Sequence, residues 1–192
     1  MRERRRMPRS ANPFANTIVL VLAVARRERF RIALIGGFAL PFHGVQRATG
    51  DVDFLVDAAG SDLLHDALLA AGARCLHRSA DAANYATGSS RLAPVDFIIA
   101  RRARAREMLR RAKWRLLRAA RLRVPVVDAE ALIGLKLQAL ANQPRRTQDE
   151  ADIQALFAAG AESLNVKILR DYYRIFDRER DLDRLLAETR KR

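Results

Sequence analysis

The sequence predicts a mixed α/β fold of the α+β type: a mixed β-sheet flanked by helices, followed by a C-terminal helical region. Three observations predict it. Short β-type runs such as "IALI", "DVDFLVD" and "PVDFII" are interleaved with helical spacing as far as about Val127. Beyond Val127 every apolar pattern has helical period. The 192 residues are 49% hydrophobic but only 6% aromatic, so a real core is expected, filled mostly by Ala and Leu.

Taken in order, residues 1–13 lack apolar periodicity and read as a mobile basic arm. Helical spacing runs from about Asn16 to Glu28. "RIALIGG" is a short strand ending in a glycine pair, and "FALPFHG" is a short helix with Gly44 as its stop. "DVDFLVD" is a strand. "SDLLHDALLAAG" is an amphipathic helix that Ser61 or Asp62 would cap and Gly72 would end. "RCLHRSA", "ANYATG" and "PVDFIIA" read as three strands, the last with Val95, Phe97 and Ile99 on one face. A basic helix is expected at 101–113 and a strand at 114–119. The α/β core thus covers residues 14–127. In the helical region, 128–192, Asp128 caps "AEALIGLKLQALANQ", a second helix stops at Gly160, and two more follow.

Composition narrows the function classes. No apolar run approaches the roughly 20 residues that span a bilayer, so no membrane partner is expected. "MRERRR" before "IVLVLAVA" imitates a secretory signal. The following "RRERFRIALIGG" continues directly into structure, and the apolar run reads as the inner part of a helix. The single cysteine, Cys75, excludes an internal disulfide and fits a reducing, cytoplasmic location. Net charge is +14, and residues 101–123 carry eleven basic side chains against one acid, Glu107. That segment reads either as a surface for phosphate-rich partners or as a solvated face. The 32 Arg against 4 Lys also suit a general compositional habit.

The chemistry concentrates in "RATGDVDFLVD". Alternation along a strand points Asp51 and Asp53 the same way, with carboxylates about 7 Å apart on one face, where both can grip the same divalent ion or a pair of ions. Gly36-Gly37 follows an apolar strand and opens a helix, so its backbone N–H groups can cradle a phosphate. Asp96 lies among apolar residues in a later strand, and a metal shared with Asp51 and Asp53 would supply the partner it needs. Arg47 and Thr49 precede the acidic pair, where they could meet phosphate oxygens. Together these describe a site for a metal-bound triphosphate.

These residues carry a family resemblance. "GGFALPFHGVQRATGDVDFLVD" resembles the first motif of the nucleotidyltransferase superfamily, with its polymerase-beta-like fold: a glycine-led turn, a short helix, then acid-x-acid on the next strand. It is more particularly similar to the AbiEii-like toxins of abortive-infection and type IV toxin–antitoxin systems, and to related small bacterial nucleotidyltransferases. "R-x-T-x-D-hydrophobic-D" is typical there, as is a later lysine helix followed by Asp-x-x-Asp-hydrophobic. Here "LIGLKLQALANQ" supplies Lys136 and "RRTQDEADIQAL" supplies Asp149 and Asp152. The resemblance covers roughly residues 30 to 157. It implies that Asp51 and Asp53 hold two Mg²⁺ ions, and that Asp96 completes the metal site and accepts the proton of the attacking hydroxyl. Gly36 and Gly37 would hold the outer phosphates, and Lys136 would neutralise the triphosphate. One position departs: serine is common where Gly37 stands, so any grip there comes from backbone N–H groups alone.

The expected function is therefore transfer of a nucleoside monophosphate from an NTP to a macromolecular hydroxyl, with transfer RNA the first choice of acceptor and a protein side chain the second. A toxin role, with an antitoxin as partner, is part of the resemblance. The alternative from another class is a catalytically degenerate fold that binds nucleotide or RNA without turnover. His43, His65 and His77 lack metal-ligand spacing and read as packed or solvent-facing. Asp57 reads as a cap or turn residue, Tyr172 and Tyr173 as core, and Asp149 and Asp152 as structural candidates.

Overall fold

A computed structural model of the chain describes residues 12–88, 91–143, 146–160 and 163–189. Most of the basic arm expected at 1–13 lies outside these residues. The first helix, α1 (Pro13–Glu28), starts three residues before the expected position because Asn12 caps it, accepting from the N–H groups of Phe14 and Ala15. Strand β1 (Ile32–Ile35) passes without a break into α2 (Gly36–Ala39), and a 3₁₀ turn over Leu40–His43 ends at Gly44 with φ 81°. Strand β2 (Val52–Asp57) follows, and Asp57 caps the next turn by accepting from Ala59 N–H.

Helix α3 (Ser61–Ala70) begins at Ser61 itself, and neither Ser61 nor Asp62 caps it; the capping position is Gly60. Strands β3 (Ala73–Arg78) and β4 (Ala82–Thr87) form a hairpin, and β5 (Val95–Ala100) returns to the centre of the sheet. Helix α4 (Ala103–Arg111) occupies the middle of the expected basic helix, and β6 (Lys113–Leu117) lies within one or two residues of the expected strand.

Strand β7 (Leu122–Val126) was not expected. Pro125 argues against an interior strand because it lacks an N–H. Yet β7 sits between β1 and β6 in the order β3-β4-β5-β2-β1-β7-β6. The conflict resolves because β7 meets β1 at a single register pair, Leu34 with Val126, so most of its length needs only β6.

The helical region comprises α5 (Ala129–Asn142), α6 (Thr147–Gly160), α7 (Val166–Ile175) and α8 (Glu179–Thr189). Asp128 caps α5 as expected, accepting from Ala131 N–H at 2.9 Å. Tyr172 and Tyr173 are core residues. No helix among the described residues is long and apolar enough to cross a membrane.

The two central strands set the geometry of the site. β2 and β5 are parallel and in register, so Asp53 lies beside Asp96 and Phe54 beside Phe97. One sheet face carries Val52, Phe54, Val95, Phe97 and Tyr85, all buried, with Phe97 stacked on Phe54 and edge-on to Tyr85. Alternation therefore sends Asp51, Asp53 and Asp96 to the opposite face.

Candidate active site

Three carboxylates meet where β1 hands over to α2. Asp51, Asp53 and Asp96, all half-buried, each present an oxygen, and these oxygens lie within 4.8 Å of one another. Among the described residues no other group of acidic, histidine or cysteine side chains converges in this way. The main chain fixes the arrangement: Val52 N–H donates to Pro94 O at 3.0 Å, tying β2 to the start of β5. Thr17 anchors the same loop to α1 through its hydroxyl, which donates to Ala93 O at 3.0 Å.

The glycine turn is built around the acids. Gly36 has φ 59°, a conformation that side chains disfavour. A Cβ there would overlap the Asp53 carboxylate. A Cβ on Gly37 would come within 2.5 Å of Thr49 Cβ. Gly37 N–H donates to the Asp53 carboxylate, so the turn already presents its N–H edge to negative charge.

Burial pushes the Asp53 carboxyl up to about 7, and the neighbouring charges of Asp51 and Asp96 push the same way, against the Gly37 hydrogen bond and the more distant Lys136 ammonium. Asp96 is also raised, chiefly by burial, while a hydrogen bond from Asn84 moderates the effect. Asn84 faces Asp96 directly across β4 and β5. Sequence reasoning missed it, and its only signal was a polar residue within "ANYATG".

The other candidates are arranged around this centre. The Thr49 hydroxyl donates to Asp51 Oδ1 at 2.8 Å and so orients a carboxylate. Arg47 Nε lies 3.7 Å from Asp152 Oδ2 and, although buried, makes no hydrogen bond among the described residues. Lys136 is buried between two carboxylates, donating to Asp149 Oδ1 at 3.0 Å and Asp152 Oδ2 at 2.5 Å. Asp149 and Asp152 are themselves buried, so the lysine helix and the acid helix are joined by an ion cluster. His43 Nε2 lies 2.9 Å from Val127 O, and His65 Nδ1 lies 2.9 Å from the Tyr85 hydroxyl, which are structural roles.

No protein-family model matches the chain, and no curated protein matches it. Solved structures do. The antibiotic-resistance factor ANT(2'')-Ia aligns with a TM-score of 0.61, at 17% identity, over 88% of this chain and 95% of its own. Its complex with adenylyl-2''-tobramycin gives 0.60 at 17% identity, over 85% and 96%. The fold is that of the nucleotidyltransferases. Two more structures share it with TM-scores of 0.53. The lincosamide antibiotic adenylyltransferase LnuA, bound to lincomycin, is 13% identical over 76% of this chain and 97% of its own. An antigenic nucleotidyltransferase-like protein from Paracoccidioides brasiliensis is 16% identical over 90% and 92%. Within this nucleotidyltransferase fold, the acid-x-acid pair sits at the start of β2, with Asp51 just before it and Asp53 on it, and the third acid lies on its parallel neighbour β5.

Proposed function

We propose that this chain is a metal-dependent nucleotidyltransferase, moving a nucleoside monophosphate from an NTP to a hydroxyl of a macromolecular acceptor, RNA first and protein second. The observation that carries the reading is the convergence of Asp51, Asp53 and Asp96 beside a glycine turn whose N–H edge faces them. The donor set suits a hard divalent cation such as Mg²⁺, because three carboxylate oxygens crowd together and burial holds a proton on Asp53 that positive charge would displace. Bound there, Mg²⁺ supplies Lewis-acid polarisation of the α-phosphate and lowers the pKa of the acceptor hydroxyl.

The chain's own residues supply the remainder. The acceptor oxygen attacks the α-phosphorus in line, pyrophosphate leaves, and Asp96 takes the hydroxyl proton. The Gly36–Gly37 turn lets the outer phosphates approach the backbone closely, its Gly37 N–H being shared with Asp53. Arg47, half-buried, with a guanidinium whose Nε has no hydrogen-bond partner among the described residues, is suited to a phosphate oxygen. Thr49 keeps Asp51 aimed at the metal. Lys136 adds positive potential from behind Asp53, its own position fixed by Asp149 and Asp152.

The net charge of +14 supports an RNA acceptor. The similarity of "RATGDVDFLVD" and the Lys136 block to AbiEii-like proteins supports a toxin role with an antitoxin partner. A small-molecule hydroxyl acceptor is the second reading, supported by likeness along nearly the whole length of ANT(2'')-Ia and LnuA. The test is incubation with each α-labelled NTP, Mg²⁺, and in turn total RNA, protein and an aminoglycoside. Label in RNA supports the first reading and label in the small molecule the second. Label in no pool, with nucleotide binding retained, supports a binding module without turnover.

A further inference from the structure

At the end of the sheet remote from the acids, a trough opens between the C-terminal end of α1, helix α4 and the start of β6. Its main cavity is about 440 Å³, and a second of about 350 Å³ continues it, sharing Arg31, Leu109 and Arg110. Ile32, at the first position of β1, lines it, whereas Ile35, at the last, pairs with Asp53. About 10 Å of strand therefore separates the trough from the acids.

Its walls are mainly cationic, with one carboxylate, Asp57, in the second cavity. Arg26, Arg29 and Arg31 enter from one side, and Arg106 and Arg110 from α4. Of these five, only Arg110 forms an ion pair among the described residues, with Glu107. The floor is apolar, formed by Leu22, Phe30, Leu109 and Pro125. At the rim stands Trp114, the chain's one tryptophan, 47% exposed, with the Arg26 guanidinium 5.4 Å from its ring centroid. Its strand neighbours Lys113 and Arg115 are also exposed, but alternation sends them to the opposite sheet face.

We infer that this trough binds single-stranded nucleic acid, with phosphates on the arginines and a base stacked at Trp114. Four guanidinium groups without an ion pair among the described residues, against the single carboxylate of Asp57, call for a polyanion. An apolar floor beside an exposed aromatic calls for a ligand that is also flat and apolar. Unpaired nucleotides combine the two, and stacking on an aromatic ring is the usual way such strands are held. A duplex keeps its base faces inside and offers none to Trp114. The site is independent of the transfer reaction, since none of the three acids borders it.

Trp114 reports on the site directly. The full-length protein is titrated with a twelve-residue oligouridylate, without NTP or metal, while tryptophan emission and anisotropy of a labelled strand are followed. Binding is expected to quench Trp114 and to weaken steeply as salt rises. Inorganic polyphosphate of matched charge should compete weakly and leave emission unchanged. Trp114→Ala should weaken binding at least about fivefold, with Trp114→Phe recovering most of it. Arg29→Ser with Arg31→Ser should reduce both affinity and salt slope. Asp53→Asn should bind as the wild type does, which separates this site from the transfer reading. The inference is overturned if the oligonucleotide does not bind. It is equally overturned if polyphosphate binds as tightly with Trp114 silent, or if binding persists unchanged in Trp114→Ala and in the arginine variant, each shown to be folded by circular dichroism.

Discussion

Gly36 and Asp53 occupy adjoining space so closely that no side chain fits at position 36: a Cβ there would overlap the carboxylate. The left-handed φ of 59° adds a second reason for glycine. The turn and the acid are therefore one unit, each shaped by the other.

Gly36→Ala should displace Asp53 and lower nucleotide transfer by at least about a hundredfold, since a misplaced reacting group costs that much. The strained φ should also cost about 1–2 kcal/mol of stability. Label transfer and urea unfolding check the two effects separately; a variant as active as the wild type would remove the turn from the site.

Gly37→Val should do more than block phosphate. Its Cβ would press on Thr49, whose hydroxyl orients Asp51. Both stability and divalent-ion binding should fall, readable as a lower melting temperature and weaker calorimetric Mg²⁺ binding. Thr49→Ala in the same background should recover the stability but not the metal affinity.

The raised Asp53 pKa makes the metal-free protein sensitive to pH. Between the ordinary 3.8 and about 7, the folded chain holds more proton on Asp53 than the unfolded chain does. From this group alone, stability falls as pH rises through that window. Asp53→Asn should flatten that part of the pH–stability profile and raise the melting temperature at pH 7.5 without metal. Added Mg²⁺ should stabilise the wild type more at pH 7.5 than at pH 5, and chelation should reverse it.

Lys136→Met would leave Asp149 and Asp152 buried without their shared cation, at a cost of about 3–5 kcal/mol. Combining it with Asp149→Asn and Asp152→Asn should restore most of the stability. If nucleotide affinity stays low in the restored protein, the ammonium acts on the triphosphate; if affinity returns, its role is to hold α5 against α6.

The acid-x-acid pair, the glycine turn and most elements were legible because period-2 and period-3.6 patterns report directly on which side chains share a face. Strand β7 was not, since Pro125 masks a strand whose exposure to β1 is confined to one register pair. Asp96 could be named from its apolar neighbours, but its meeting with Asp53 depends on the parallel register of β2 and β5, a long-range choice that local pattern does not encode. The same is true of Lys136. The family resemblance implied a phosphate role for it, while the two acids that surround it come from a different helix. In the basic segment, Arg111 is committed to Asp128 and Tyr172, so the run is not one uniform solvated face.

The parallel pairing of β2 with β5 also bears on how the chain acquires its native shape. A helix and a hairpin separate the two strands in sequence, so their union is a high-contact-order step. That step brings Asp96 up to Asp51 and Asp53 and concentrates like charge as the sheet closes. Electrostatic repulsion thus opposes the closure of the sheet's own centre. Divalent cations or mild acid should hasten refolding where most soluble domains would be indifferent to either, and a nascent chain released before β5 would hold only two of its three acids and compete less well for scarce metal.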